Sequence, residues 1–229
     1  MTDGAEQVEQ SLARLDELSK LHFTLGREMT EAYGGSLYGM DLLAYGALNR
    51  SRAHIAGFTQ LIRAENLLCA EAILRLQLDT ALRFSAAWLV ESPHEFALEV
   101  LRGAQIRGLV DRSGKRMTDA YLVSCLAQEY PWVSKVYERT SGYVHFSSVH
   151  VLAAVTLKDE AEQRGRFEVK VSDVDKPLPQ AIYTEAIDAF AASTEILLHY
   201  VHGWTLTKAN PEAVSRVKRT SDPLPRADT

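Results

Sequence analysis

Two cysteines, seven prolines and no long apolar run set the first limits on this 229-residue chain. No hydrophobic stretch approaches the roughly 20 residues that span a bilayer, and the polar, acidic start Met1–Gln10 has neither the basic end nor the apolar centre of a signal peptide. Cys69 and Cys125 each sit in an apolar helical pattern, so two buried thiols are expected rather than a disulfide, which suits a reducing cytoplasm. Two cysteines also cannot build a cysteine-rich zinc site. Excess positive charge is missing too. The net charge of −5 argues against a generally basic nucleic-acid binder, because such binding rests on neutralising phosphates, although a local basic pocket stays open. Glycine-rich phosphate loops, a nucleophile elbow and a dinucleotide fingerprint are all absent, so no cofactor is expected.

What is present is helical periodicity. Val8, Leu12, Leu15, Leu18, Leu21 or His22, Leu25 and Met29 recur at three and four, giving one face of a helix over residues 6–33 that Gly34-Gly35 should end. A second helix is expected over 37–63, with Leu42, Tyr45, Leu48, Arg52, Ile55, Thr59 and Ile62 on its apolar side. Ala64-Glu65-Asn66 should break the chain, with Asn66 capping a third helix that runs to about Val90. Shorter helices follow over about 94–109 and from Thr118 to before Pro131, separated by the turn signal Asp111-Arg112-Ser113-Gly114.

A further helix is expected from Trp132 to Phe146. Val151–Thr156 and the alternating Arg166–Val171 read as a β-hairpin, over about 151–171, with the polar Lys158–Gly165 as its loop. Pro177–Pro179 leads into a last long helix over 180–208. There Tyr183, Ile187, Phe190, Thr194, Leu197, Val201 and Trp204 form a heptad seam, fit to pack along another helix of a bundle or across a homodimer. The fold expected is therefore all-α, an antiparallel helical bundle over residues 1–210 with a small β-hairpin before the last long helix. Residues 211–229 read as a polar, disordered tail.

Chemistry concentrates in Pro131–His150, which gathers two histidines, two tyrosines, an arginine, four serines and a threonine around Gly142. Tyr137, Ser141 and His145 lie four apart. On a helix they share one stripe, where they would make a hydrogen-bonded seam. Arg75, Asp79 and Arg83 are also four apart, which reads as an ion-pair ladder or, more sharply, as an anion pocket lined by Arg75 or Arg83. The histidine pairs His145/His150 and His199/His202 have no accompanying carboxylate motif, so no metal site is expected.

The stretch Arg63–Arg83, with its core Leu74-Arg75-Leu76-Gln77-Leu78-Asp79-Thr80, resembles a helix of a large group of bacterial all-helical proteins. In that group a leucine–arginine pair and an acidic residue follow a long helical hairpin, and Tyr137-x-x-x-Ser141-x-x-x-His145 is similar to a later helix. Arg139 and His145, five residues between them, match the Arg-x(4–6)-His pattern of the HEPN superfamily. Many members of that superfamily are metal-independent ribonucleases of toxin–antitoxin, abortive-infection and CRISPR systems.

The resemblance implies His145 as general acid/base and Arg139 as phosphate clamp, with Tyr137 and Ser141 orienting the imidazole or the RNA. RNA, a cognate antitoxin and a second copy of the chain are the implied partners. Within one straight helix, residues six apart are separated by about 9 Å along the axis and about 120° around it. Convergence of Arg139 and His145 therefore needs a distortion at Ser141-Gly142 or a pairing across a dimer. The other reading kept open is a non-catalytic helical protein that binds a partner protein or a small ligand.

Overall fold

The computed structural model describes residues 2–157 and 167–212. Eight α-helices and two short strands follow one another: α1 (Thr2–Glu31), α2 (Gly39–Arg63), α3 (Leu67–Ser85), α4 (Pro93–Leu101), α5 (Asp119–Leu126), α6 (Trp132–Val144), α7 (Ser148–Ala154), β1 (Val155–Leu157), β2 (Phe167–Val169) and α8 (Gln180–Ala209). The chain is an all-α bundle with a two-stranded antiparallel hairpin before its last long helix. The loop expected at 158–165 and the tail beyond residue 212 lie outside the described residues.

Local signals set most boundaries. After α1 the chain leaves the helix through Tyr33, Gly34 and Gly35, all at positive φ, the region glycine enters without a Cβ penalty. Asn66 caps α3 by accepting from the Cys69 amide at 3.1 Å, and Thr118 and Ser92 cap α5 and α4 in the same way. A second residue, far away in sequence, completes the α3 terminus. Asp175 Oδ2 accepts from the Leu67 amide at 2.7 Å and from the Tyr183 hydroxyl at 2.9 Å. In the turn before α5, Asp111 accepts from the amides of Ser113 and Lys115 and from the Tyr121 hydroxyl, which holds its carboxyl well below the usual range.

Four corrections concern length. The third helix stops at Ser85 and tightens into a 3₁₀ turn over Ala86–Trp88 instead of reaching Val90. The helix expected over 94–109 ends at Leu101, before Gly103 at positive φ. The one expected to reach Phe146 ends at Val144. Val151–Ala154, expected as strand, belongs to α7, so the hairpin pairs only Val155–Leu157 with Phe167–Val169. A valine- and alanine-rich run does not distinguish strand from buried helix by itself.

α3 lies at the centre, packed against α2, α6 and α8, while α8 runs along both α1 and α3. The heptad residues of α8 from Tyr183 to Val201 are spent inside this chain, as the bundle alternative expected, and Phe190 stacks on Phe58 of α2 with ring centroids 4.2 Å apart. On α1 it is His22, not Leu21, that faces inward. Leu42 of α2 is exposed, because the buried face runs through Ala44, Leu48, Ser51, Ile55 and Phe58 instead. Cys69 is exposed and Cys125 half-buried, which corrects the expectation of two buried thiols; both are free.

One ion pair is sealed in this core. Lys208 Nζ donates to Asp41 Oδ2 at 3.1 Å and to the Met29 carbonyl at 2.7 Å, while Trp204 Nε1 and the Tyr38 amide donate to Asp41. Both charges are thus paired and hydrogen-bonded, the condition for burying them at all. No helix among the described residues is long and apolar enough to cross a membrane.

Candidate functional site

The chemistry-bearing side chains of α6 meet α3 and α8. Arg139 Nη2 donates to Glu71 Oε1 of α3 at 3.2 Å, and Nη1 donates to Glu185 Oε1 of α8 at 2.6 Å. Glu71 is 3% exposed. Burial pushes its carboxyl up and the Glu185 charge adds to that, against the pull of Arg139. Arg139 Nε and Glu71 Oε2 are buried without a hydrogen-bond partner among the described residues. One guanidinium therefore faces two carboxylates, and the cluster is net negative when both are ionised.

Arg75 and Arg83 are engaged as well. The Arg75 guanidinium carbon lies over the Tyr137 ring, 3.6 Å from its centroid, and the group stands 3.9 Å from Asp79. Arg83 donates to Asp79 at 2.9 Å and to Asp119 of α5 at 2.8 Å. The ladder thus continues sideways onto α5, with its two arginines balanced by two aspartates. Glu71 is one more rung, four residues before Arg75. That spacing was readable in the sequence, whereas nothing local pointed to Glu185.

Tyr137, Ser141 and His145 do not form the expected seam. The Ser141 hydroxyl donates back to the Tyr137 carbonyl at 2.7 Å, and Thr140 makes the same kind of bond to Val136. The Tyr137 ring is taken up by Arg75. His145 has left the helix, with φ −109° and ψ 140°, and is exposed.

Gly142 explains the abrupt end. A Cβ there would stand 3.3 Å from Val149 Cγ2 and 3.4 Å from Ser147 Oγ, so α7 folds back onto α6 at the one position without a side chain. Ser147 secures the turn by donating to the Gly142 carbonyl and accepting from the Val149 amide. Its own amide donates to His150 Nδ1, which fixes the proton of a neutral His150 on Nε2, and the His150 ring stacks on Phe146. Among the described residues no hydrogen bond or ion pair joins Arg139 to His145. Arg139 points to α3 and α8, and His145 sits beyond the end of α6.

A separate polar chain crosses the bundle and was missed at the sequence level. His54 Nδ1 and Gln77 Oε1 are 3.0 Å apart, Gln77 Nε2 donates to Ser51 at 2.7 Å and to Thr194 at 2.9 Å, and Ser51 Oγ is 2.8 Å from His22 Nε2. His22 Nδ1 lies 2.7 Å from the Leu18 carbonyl. A carbonyl oxygen only accepts, so both imidazoles carry their proton on Nδ1 and every bond in the chain runs one way. Burial pushes both histidines below their ordinary range, with Arg52 adding to the effect at His22 and Arg50 at His54. No group of three or more histidine, cysteine, aspartate or glutamate side chains among the described residues is placed to hold a metal ion. Comparison with protein-family models, with curated proteins and with solved structures finds no match for this chain.

Proposed function

We propose that this chain is a HEPN-like helical protein that works by binding, and that its working surface is the end of the molecule built by the last turn of α6, by α7 and by the hairpin. The observation that carries this reading is a concentration of apolar side chains left in water. Phe146 is 87% exposed, Leu152 65% and Phe167 62%, and Val144, Val151 and Val169 are exposed beside them in the chain. Exposed apolar residues gathered in this way mark interaction sites.

The occupant this surface fits is a second copy of the chain. A lone two-stranded ribbon is marginal in water, and three or more strands are needed for independent stability. Two such hairpins paired about a two-fold axis complete one another, a self-complementary joint of the kind most homodimers use. The charge at Arg139 supports binding over catalysis, since two carboxylates already hold the guanidinium and repel an incoming phosphate.

A second reading, metal-independent RNA cleavage, is favoured by one observation: His145 is exposed, between the exposed Val144 and Phe146 in the chain. A dimer would bring two such imidazoles to one joint. Glu185, the exposed partner of Arg139, is the carboxylate that would have to swing away to free the clamp.

Sedimentation of the full chain, with RNA incubation in EDTA alongside, tests both. The binding reading expects a dimer that a Phe146→Ser, Leu152→Ser double variant turns into a monomer, and RNA left intact. A wild-type chain that stays monomeric at high concentration overturns the second-copy assignment. RNA cut to a cyclic phosphate, with the cut lost in His145→Ala and Arg139→Ala variants that remain folded, overturns the non-catalytic reading and upholds the ribonuclease.

A further inference from the structure

Most arginines that bridge elements in this molecule have found a carboxylate. Arg14, Arg63, Arg75, Arg83 and Arg139 each stand within ion-pair distance of one. Arg27 of α1 and Arg52 of α2 do not, among the described residues, and both line a cleft of about 370 Å³ between those two helices. No aspartate or glutamate lines it.

The cleft is built in detail. The Arg52 guanidinium lies on the ring of Phe23, 3.7 Å from its centroid, and its Nε donates to Ser19 Oγ at 3.4 Å. These contacts engage its Nε and one face of its plane, and its two terminal nitrogens have no partner among the described residues. Asn49, three residues before Arg52 and so on the same face of α2, brings an amide to the same wall. At the far end the hydroxyls of Thr30 and Tyr45 bond to each other. The floor is His22, whose two ring nitrogens are already used by Leu18 and Ser51, so it does not compete for a guest. Burial depresses the His22 imidazole most, and the positive charge of Arg52 beside it adds to that.

From this we infer that the cleft between α1 and α2 binds an oxyanion, a phosphate or carboxylate group carried by a small molecule. A guanidinium whose two terminal nitrogens have no partner among the described residues matches the paired oxygens of either group, and a second arginine in the same lining supplies the remaining charge. The volume falls within the range of small-molecule sites, roughly 300–1,000 Å³. The site shares no residue with the α6–α7 end face and stands or falls apart from it.

The test uses the full chain at constant ionic strength, titrated with inorganic phosphate and, in a second arm, with acetate. Saturable binding is expected from calorimetry. In an NMR titration the His22 imidazole should also become easier to protonate once the anion neutralises Arg52. Loss of a charge-assisted hydrogen bond weakens binding by at least ~10-fold, so Arg27→Ala and Arg52→Gln should each show that loss. Arg27 is exposed and has no partner among the described residues, so its variant leaves the fold intact. Saturation by phosphate alone assigns a phosphate ester, and saturation by acetate alone assigns a carboxylate. Absence of saturable binding in both arms, or equal binding by the wild type and both variants, overturns the site.

Discussion

The two ends of this molecule handle the same kinds of residue in opposite ways. Where α1, α2, α3 and α8 pack, most buried polar groups are paired: Lys208 has Asp41, and Gln77 has Ser51, Thr194 and His54, while Thr59 Oγ1 and Glu71 Oε2 are left without a partner among the described residues. At the end of α6, on α7 and along β2, it is the apolar groups that are unsettled, with Phe146, Leu152 and Phe167 facing water. Stability resides in the first region, where low dielectric raises the cost of any broken polar contact. The second region contributes little to the fold of one chain, which leaves its composition free to serve an encounter.

The sharpest way to break the contrast is Lys208→Met. It leaves the Asp41 carboxylate buried without its counter-charge, with only the Trp204 and Tyr38 donors remaining, and removing one partner of a buried pair costs about 3–5 kcal/mol. Denaturant unfolding should show that loss; a loss below about 1 kcal/mol would mean the pair is not sealed as described.

Acid provides the next test, because the groups involved pull in opposite directions. His22 and His54 have folded values below their ordinary 6.5, so the unfolded chain takes up protons first and stability falls as pH drops below that value. Glu71 has a raised folded value, so the folded chain takes up its proton first and stability rises as pH falls through that value toward 4.5. Melting curves between pH 7 and pH 4 should therefore show an acid loss that His22→Gln makes shallower and Glu71→Gln makes steeper. Equal slopes in all three proteins would contradict the burial of both sites.

The smallest effect is expected at the other end. Replacing Phe146 and Leu152 by serine should change the stability of a single chain by no more than about 0.5 kcal/mol per site, as exposed positions do. A loss of 2 kcal/mol or more would place these side chains inside the fold and erase the difference between the two regions.

Particular residues show how much of this was legible beforehand. Asn66 and Thr118 announced helix starts that the structure holds, because a cap bonds to amides only two or three residues away. The rungs Arg75, Asp79 and Arg83 were visible for the same reason, and the fourth rung, Glu71, was there to be read at the same spacing. Glu185 was not, since it approaches Arg139 from a helix that begins 41 residues later. His145 misled for a different reason. Its place four residues after Ser141 assumed a helix that continues, whereas the lack of a side chain at Gly142 lets α7 turn back and end it.

By itself, then, the sequence determined where the long helices lie, most of the apolar face of each and that they form a bundle, because those properties depend on residues within a turn or two of each other. The tertiary structure decided which charges are neutralised and which are left open. Among the described residues Arg139 met two carboxylates while Arg27 and Arg52 met none, and that outcome depends on how helices distant in sequence are rotated when their apolar faces close together.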